Sequence, residues 1–155
     1  MMNFKAYLCA LMTLLLSLTL TSVSTAAEKQ TLQQQIEVQN PVIFQLKPGA
    51  KGTGSKMTIY NNTDKKLVID GFSCEGFAMT MLHQSKFEGG QRKMYEVSEI
   101  SVPAHKKLAL TPNTHHLMMF KPQHPLKTGE FLTMKVHTNQ GEFKIIAKVV
   151  PHRLK

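Results

Sequence analysis

The chain has 155 residues, a formal net charge of +9 and two cysteines, which indicates one domain and excludes a disulfide framework. Its 19 Lys and Arg residues are scattered along the sequence and Trp is absent, so we expect no nucleic-acid partner. The positive charge predicts a solvated basic surface, with an acidic partner surface or anionic lipid headgroups as the alternatives.

Residues 1–26 have the pattern of a secretory signal peptide. Lys5 precedes an apolar run from residue 7 to residue 23, and small residues follow at a cleavage site near Ala26. An uncleaved membrane anchor is the alternative interpretation. Cleavage would leave an exported domain of residues 27–155, with a net charge of about +8 and no further apolar stretch long enough to span a bilayer. We therefore expect no stable membrane insertion of the mature chain.

Cys74 is the only cysteine that this cleavage would leave. Three roles are open to it: a reactive thiol, an extra metal ligand, or a small hydrophobic residue that is at least partly buried. We favour the last of these, because a free cysteine most often behaves as a small apolar residue.

Short segments of alternating polarity follow, separated by turn signals about every ten residues, which predicts an antiparallel all-β domain. The opening strand TLQQQIEVQNPVIFQL is interrupted at Pro41, and KPGAKGTG forms a loop. Two strands then meet around residues 61–64, and later strands lie in FAMTMLHQSKF, QRKMYEVSEI, KKLALTP, THHLMMF, LTMKVHT and EFKIIAKVV. We predict about seven to nine strands and no long helix.

Paired glycines predict the register of one hairpin. If Gly89 and Gly90 are the two central turn residues, position 88 pairs with 91, 83 faces 96 and 85 faces 94. Met94 is then the diagonal neighbour of His83 on the same sheet face, roughly 7 to 8 Å away at the backbone. A one-residue slip would put the two side chains on opposite faces.

The stretch THHLMMF at residues 114–120 contains a second pair of the same residue types. His116 and Met118 are two positions apart, so in a strand they point to one face. Leu117 and Met119 point to the other face and are candidates for the core. The segment therefore separates into a binding face and a packing face.

Two imidazole nitrogens and two thioether sulfurs form a neutral, soft set of ligands that suits Cu(I). Zinc would favour thiolate or carboxylate ligands, and Mg²⁺ or Ca²⁺ would require oxygen. A redox-active blue-copper site would need a cysteine close to a histidine, which this chain lacks. Taken singly, each methionine is more typical of a core and each histidine of a surface, and only the two matched pairs favour a metal site.

The spacing of His83, Met94, His116 and Met118, with ten, twenty-one and one residues between them, resembles that of the periplasmic copper(I) chaperones of the PCuAC family. GSKMTIYNNTDKKLVIDGF, VPAHKKLALTPNTHHLMMF and KPQHPLKTGEFLTMKV are also similar to segments of that family. The resemblance covers roughly residues 35–150.

The resemblance implies a cupredoxin-like Greek-key β-sandwich in which those four side chains hold one exposed Cu(I). It also implies a metallochaperone, not an enzyme, that exchanges copper with a donor or acceptor protein and serves the copper centre of cytochrome c oxidase in the periplasm. We expect a monomer.

The chain departs from the family at positions that would face a partner. His105 replaces a family glycine, residues 113–115 replace Gly-Gly-Tyr, and Tyr95 stands where Arg is common. The four expected ligands are unaffected by these changes.

Two other functions stay open: a copper-buffering or tolerance protein, and a β-sandwich that binds no metal. The other histidines are expected at the surface, with His115 the best candidate for a spare ligand because it adjoins His116. The other methionines are expected in the core or at the rim, with Met79 and Met81 positioned to shield the site. These remaining residues are His105, His115, His124, His137, His152, Met57, Met79, Met81, Met119 and Met134.

Overall fold

A computed structural model of the chain describes residues 30–152. The predicted signal peptide at residues 1–26 lies outside this part of the chain, as do both ends of the predicted domain at 27–155. The described residues form α1 (Leu32–Gln35), β1 (Ile36–Phe44), β2 (Gly52–Asn61), β3 (Leu67–Cys74), β4 (Phe77–Glu88), β5 (Gln91–Glu96), β6 (Ile100–Val102), β7 (Lys106–Leu110), β8 (His115–Pro122), β9 (Phe131–Thr138) and β10 (Gly141–Val150).

The all-β prediction is confirmed, but the strand count was too low. Residues 30–152 contain ten strands, one of them the three-residue β6. The start of the predicted opening strand is instead a single helical turn, in which the side chain of Gln34 accepts a hydrogen bond from the backbone N–H of Thr31 at 2.8 Å. No helical segment within residues 30–152 has the length and hydrophobicity needed to cross a bilayer.

The strands form a continuous sheet that changes partners along β2. The first residues of β2 pair with β8, which pairs with β4, and β4 forms a hairpin with β5. The rest of β2 pairs with β1 and β7. From β1 the sheet continues through β10, β9 and β3 to β6, and the contact between β1 and β10 is parallel.

Both parts of this sheet bury side chains in one hydrophobic core, as expected for a β-sandwich. Large apolar side chains contribute about 1.5 to 3 kcal/mol each when they are fully buried. Leu117 and Met119 of β8 are fully buried, so the packing face predicted for this strand is confirmed. The other fully buried residues include Ile43, Met57, Ile59, Leu67, Ile69, Leu110, Met134, Val136 and Phe143.

A β-bulge accounts for the interruption at Pro41. The register between β1 and β2 shifts between Gln39 and Val42, and Asn40 has a left-handed φ of 51°. Proline has no N–H to donate, so it is tolerated in a strand mainly at an edge or a bulge. The strand therefore continues on both sides of Pro41.

The turn after β2 is held by a buried amide. Asn61 donates to the backbone oxygens of Lys65, Val102 and Pro103 at 2.8, 3.0 and 3.2 Å. Its side-chain oxygen accepts hydrogen bonds from the N–H and the hydroxyl of Thr63. Because these buried polar groups are hydrogen-bonded, they fix the turn to β6, and the hydrogen bonds offset the cost of burying them.

His105 lies in the turn between β6 and β7 with a φ of 56°, in the left-handed region that favours glycine. Its Nε2 lies 2.9 Å from Oδ1 of Asp64, and both side chains are exposed. An exposed pair of this kind contributes little to stability, so it does not offset the backbone strain in full.

Cys74 is buried, which agrees with the role of a small hydrophobic residue that we favoured from the sequence. It is a free thiol at the end of β3, within the core cluster. Burial, followed by the nearby charge of Glu75, raises the pKa of this thiol to about 12. It is therefore protonated at neutral pH and unsuited to act as a nucleophile or a thiolate ligand.

Candidate metal centre

The β4–β5 hairpin has the predicted register. Gly89 and Gly90 have φ values of 59° and 77°, as a turn with two left-handed residues requires. Ser85 lies opposite Met94, and His83 lies opposite Glu96. Met94 is therefore the diagonal neighbour of His83, and both side chains belong to the same face of the sheet.

β8 brings the second predicted pair to that face. His116 lies directly opposite His83, and Met118 lies directly opposite Met81. The two imidazole rings are stacked, with centroids 6.0 Å apart and an angle of 24° between their planes. All four predicted residues thus share one face of three neighbouring strands.

A cleft of about 510 Å³ opens over this face. Met94, His116 and Met118 line it, while His83 lies next to it through its contact with His116. Further lining residues are Phe44, Lys47, Gly52, Gly54, Arg92, Pro112 and His152.

The absence of a side chain at Gly54 makes room beside Met118. These two residues are paired across β2 and β8. A Cβ atom at position 54 would lie 3.7 Å from the Met118 sulfur. Gly54 therefore places no side chain beside the Met118 thioether, which lines the cleft.

The hydrogen bonding of His116 determines which of its nitrogens can bind a metal. Its side chain is only 3% exposed, and Nδ1 lies 3.1 Å from the carbonyl oxygen of Thr114. Because a carbonyl can only accept, Nδ1 carries the proton and Nε2 keeps its lone pair. A backbone carbonyl that orients a ligating histidine in this way is a common feature of metal sites.

His83 has a buried polar atom that the protein does not satisfy. Its Nδ1 is buried and has no hydrogen-bond partner among the described residues. Burial is the largest cause that lowers the pKa of His83, the nearby charge of His116 lowers it further, and Glu96 opposes the shift. A neutral imidazole with an unsatisfied buried nitrogen fits a bound metal ion.

One side of the site is open to solvent. Met94 is 57% exposed, and Phe87, its diagonal neighbour on the same hairpin face, is 77% exposed. Arg92, opposite Phe87, supplies a positive charge at the entrance to the cleft. The candidate ligands therefore range in exposure from the deeply buried His116 to the thioether of Met94, which another protein can reach.

Within residues 30–152, no three His, Cys, Asp or Glu side chains come together in an arrangement that could hold a metal ion. The side chains that share this face with the two histidines include the methionine sulfurs of Met94 and Met118, which suit a soft cation better than zinc or calcium.

Four of the five other histidines lie away from the cleft. His115 lies opposite Gln84 and so points to the other face of β8, away from His116. His105 and His137 lie beside carboxylates, those of Asp64 and Glu142. His124 is exposed on the loop after β8.

Sequence reasoning placed His152 at the surface but missed its position in the cleft. Its ring contacts that of Phe44 edge-on, with centroids 5.8 Å apart. No local pattern could have revealed this, because it depends on the parallel pairing of β10 with β1.

A family model described as LpqE-like matches residues 36–149. Three solved structures are similar: the apo PCuAC domain from PmoF1, the copper-bound PCuAC domain from PmoF2, and the solution structure of CuI-DR1885 from Deinococcus radiodurans. The identities are 20%, 17% and 22%, and the TM-scores are 0.65, 0.62 and 0.61. The matches cover 76%, 76% and 81% of this chain and 94%, 93% and 83% of the other chains. No curated protein matches the chain. The cupredoxin-like PCuAC fold implied by the sequence is confirmed.

Proposed function

We propose that this chain, which belongs to the LpqE-like family, is a metallochaperone that binds one Cu(I) ion and passes it to another protein. His83, Met94, His116 and Met118 are its ligands. The observation that carries the proposal is the stacked pair His83 and His116, which has an unsatisfied buried nitrogen and lies on the same face as the two methionines.

The chemistry of these donors suits a cargo ion. Two neutral nitrogens and two thioethers add no negative charge, so they hold a monovalent soft ion without the firm retention that thiolates give. The copper-bound PCuAC domain from PmoF2 and CuI-DR1885 have the same fold, which supports copper as the ion.

The proposed ligands differ in solvent exposure, and this difference suggests the order in which a partner displaces them. Met94 is the most exposed donor, so a partner can displace its sulfur first, while His116 is almost completely buried and releases the ion last. Each copper–sulfur or copper–nitrogen bond that breaks is replaced by a bond to another donor atom, and at the end of the transfer these donor atoms belong to the partner. The ion stays Cu(I) throughout, and free copper is not released.

The partner is a copper donor or acceptor protein. The PCuAC resemblance makes the copper centre of cytochrome c oxidase the first acceptor to test and the periplasm the site of action. The exposed Phe87 and the positive charge of Arg92 beside Met94 suit a partner with an apolar contact and an acidic surface. This role requires no catalysis by the protein.

The decisive experiment is a Cu(I) titration of the purified domain against a competing chelator. The parent should bind one equivalent, and His116→Ala should weaken binding by at least about 100-fold. The variant with alanine at all four positions should bind no Cu(I). His115→Ala is the matched control, because its side chain points to the other face of the same strand.

Equal Cu(I) binding by the parent and the quadruple variant would refute the proposed ligands, whereas failure of the parent to bind Cu(I) would favour a β-sandwich that binds no metal. A buffering protein would bind copper but would not be needed for oxidase loading. A deletion strain grown at low copper separates these two roles, because a delivery protein predicts lost oxidase copper and a buffer predicts sensitivity only at high copper.

A further inference from the structure

The methionines of this protein fall into two groups. Met57, Met119 and Met134 are almost completely buried in the core. The remaining methionines within residues 30–152 are partly or largely exposed, and register and alternation place them all on the face that carries the candidate metal centre. They are Met79, Met81, Met94 and Met118.

The proposed ligand set uses only two of these four sulfurs. Met81 lies directly opposite Met118 and two residues from His83 on β4. It is therefore the diagonal neighbour of His116, as Met94 is the diagonal neighbour of His83. By register, Met81 is as close to the histidine pair as Met94 is.

Met81 also has space in which to move. It borders a second cleft, of about 300 Å³, together with Glu96 and Val97. Methionine has three rotatable side-chain bonds and a polarizable sulfur, so it can change rotamer at little cost. Directly opposed residues have Cβ atoms about 4.5 to 5.5 Å apart, which lets the sulfurs of Met81 and Met118 approach a common ion.

We propose that Met81 is a reserve ligand that takes the coordination position of Met94 when Met94 is displaced. The inference rests on the proposed function, because it assumes a soft ion at the histidine pair. In the exchange, the bond from copper to the Met94 sulfur breaks and a bond to the Met81 sulfur forms. No electron or proton moves, and copper stays Cu(I). The ion then remains held by four protein donors while the partner engages the exposed side of the site.

A double-mutant cycle with Ag(I) as the probe tests this inference, because Ag(I) is also soft and monovalent. Met81→Leu alone should lower the affinity by no more than about twofold, whereas in a Met94→Leu background it should lower it by at least about tenfold. Leucine preserves the apolar volume and removes only the sulfur. Met79→Leu is the control, since Met79 lies one pair further from the histidines, opposite Phe120.

The methionine methyl signals in an NMR titration give a second measurement. In the Met94→Leu variant, Ag(I) should shift the methyl signal of Met81 and leave that of Met79 unchanged. Additive effects of Met81→Leu and Met94→Leu would overturn the inference, as would complete loss of Ag(I) binding in Met94→Leu alone. A large loss for Met81→Leu in the parent would make Met81 a permanent ligand, which also contradicts it. Failure of the parent to bind Ag(I) would instead refute the proposed function.

Discussion

His83 and His116 lie directly opposite each other on β4 and β8, with their rings stacked at a centroid distance of 6.0 Å. The charge of His116 at this distance lowers the pKa of His83, which favours the neutral imidazole that can bind a metal.

The pKa of His83 in the metal-free protein should lie below the ordinary value near 6.5, because burial and the charge of His116 both lower it. The unfolded chain then takes up a proton at His83 before the folded chain does. Stability should therefore fall as the pH drops through about 6.5 and stop falling below the folded pKa. Urea unfolding of the parent and of His83→Gln between pH 8 and pH 5 measures this difference.

Glu96 faces His83 and raises its pKa against the other two causes. Glu96→Gln should consequently move the NMR titration midpoint of His83 to lower pH. A midpoint that moved to higher pH would contradict the assigned electrostatics.

The two glycines beneath the cleft should respond differently to alanine. At Gly52 a Cβ would lie 2.5 Å from Cδ1 of Phe120 and 2.7 Å from the backbone oxygen of Met119, so Gly52→Ala should cost about 1 to 3 kcal/mol. At Gly54 the nearest atoms would be 3.5 and 3.7 Å away, so Gly54→Ala should change stability by less than about 1 kcal/mol. Chemical denaturation of the two variants provides the comparison, and equal losses would contradict the packing described here.

Oxidation should reach the exposed Met94 and weaken metal binding before it damages the core. Met94 is 57% exposed, whereas Met57, Met119 and Met134 are at most 1% exposed. Limited peroxide treatment should therefore convert Met94 to the sulfoxide first, and Ag(I) affinity should fall in step because a sulfoxide lacks the soft sulfur donor. Peptide mass spectrometry measures the order of oxidation. Prior loading with Ag(I) should protect Met94, and unchanged oxidation under load would argue against it as a ligand.

Cys74 should make the folded protein less stable at alkaline pH. The unfolded thiol ionises near its ordinary value of about 9, while the folded thiol stays protonated until about 12. The folded state thus retains a proton that the unfolded state has lost, so stability should decline as the pH rises through this interval. Cys74→Ala should reduce that decline in urea titrations at pH 8 and pH 10. It should leave Cu(I) affinity unchanged, and a large loss of affinity would reopen the role of the thiol as a ligand.

The left-handed backbone conformation of His105 predicts which of two substitutions at this position gives the more stable protein. A left-handed residue other than glycine is strained by about 1 to 2 kcal/mol, and alanine lacks even the contact with Asp64. His105→Gly should thus be more stable than His105→Ala by about 1 kcal/mol in thermal or urea unfolding. Copper binding should be the same in both, since this turn lies outside the cleft.

Patterns within short stretches of the sequence were sufficient to predict the β4–β5 hairpin and the two faces of β8. Two consecutive glycines restrict the turn to a type that fixes the register, so the positions of His83 and Met94 followed from residues close in sequence. Alternation then separated His116 and Met118 from Leu117 and Met119.

Features that depend on pairing between strands far apart in the sequence could not be predicted from such short stretches. The wall of the cleft at Phe44 and His152 exists because β1 and β10 are neighbours, and nothing in either segment alone indicates this. The helical turn of α1 was hidden in TLQQQIEVQ, where a four-residue helix leaves no periodic pattern. Its stability comes from contacts with the sheet, such as the hydrogen bond from the Lys144 N–H to the Gln33 side chain at 2.7 Å.

The parallel contact of Val42–Phe44 with Lys148–Val150 joins segments more than one hundred positions apart. Until the later of these segments has been made, the inner edge of β1 has no neighbour, and its open backbone groups cannot be satisfied by any earlier strand. Assembly of the native topology therefore waits for almost the entire polypeptide, and contacts of such long sequence separation make folding slow. A chain with this delay keeps one edge of β1 unpaired until residues 148–150 join it, and the wall of the cleft at Phe44 and His152 forms only at that point.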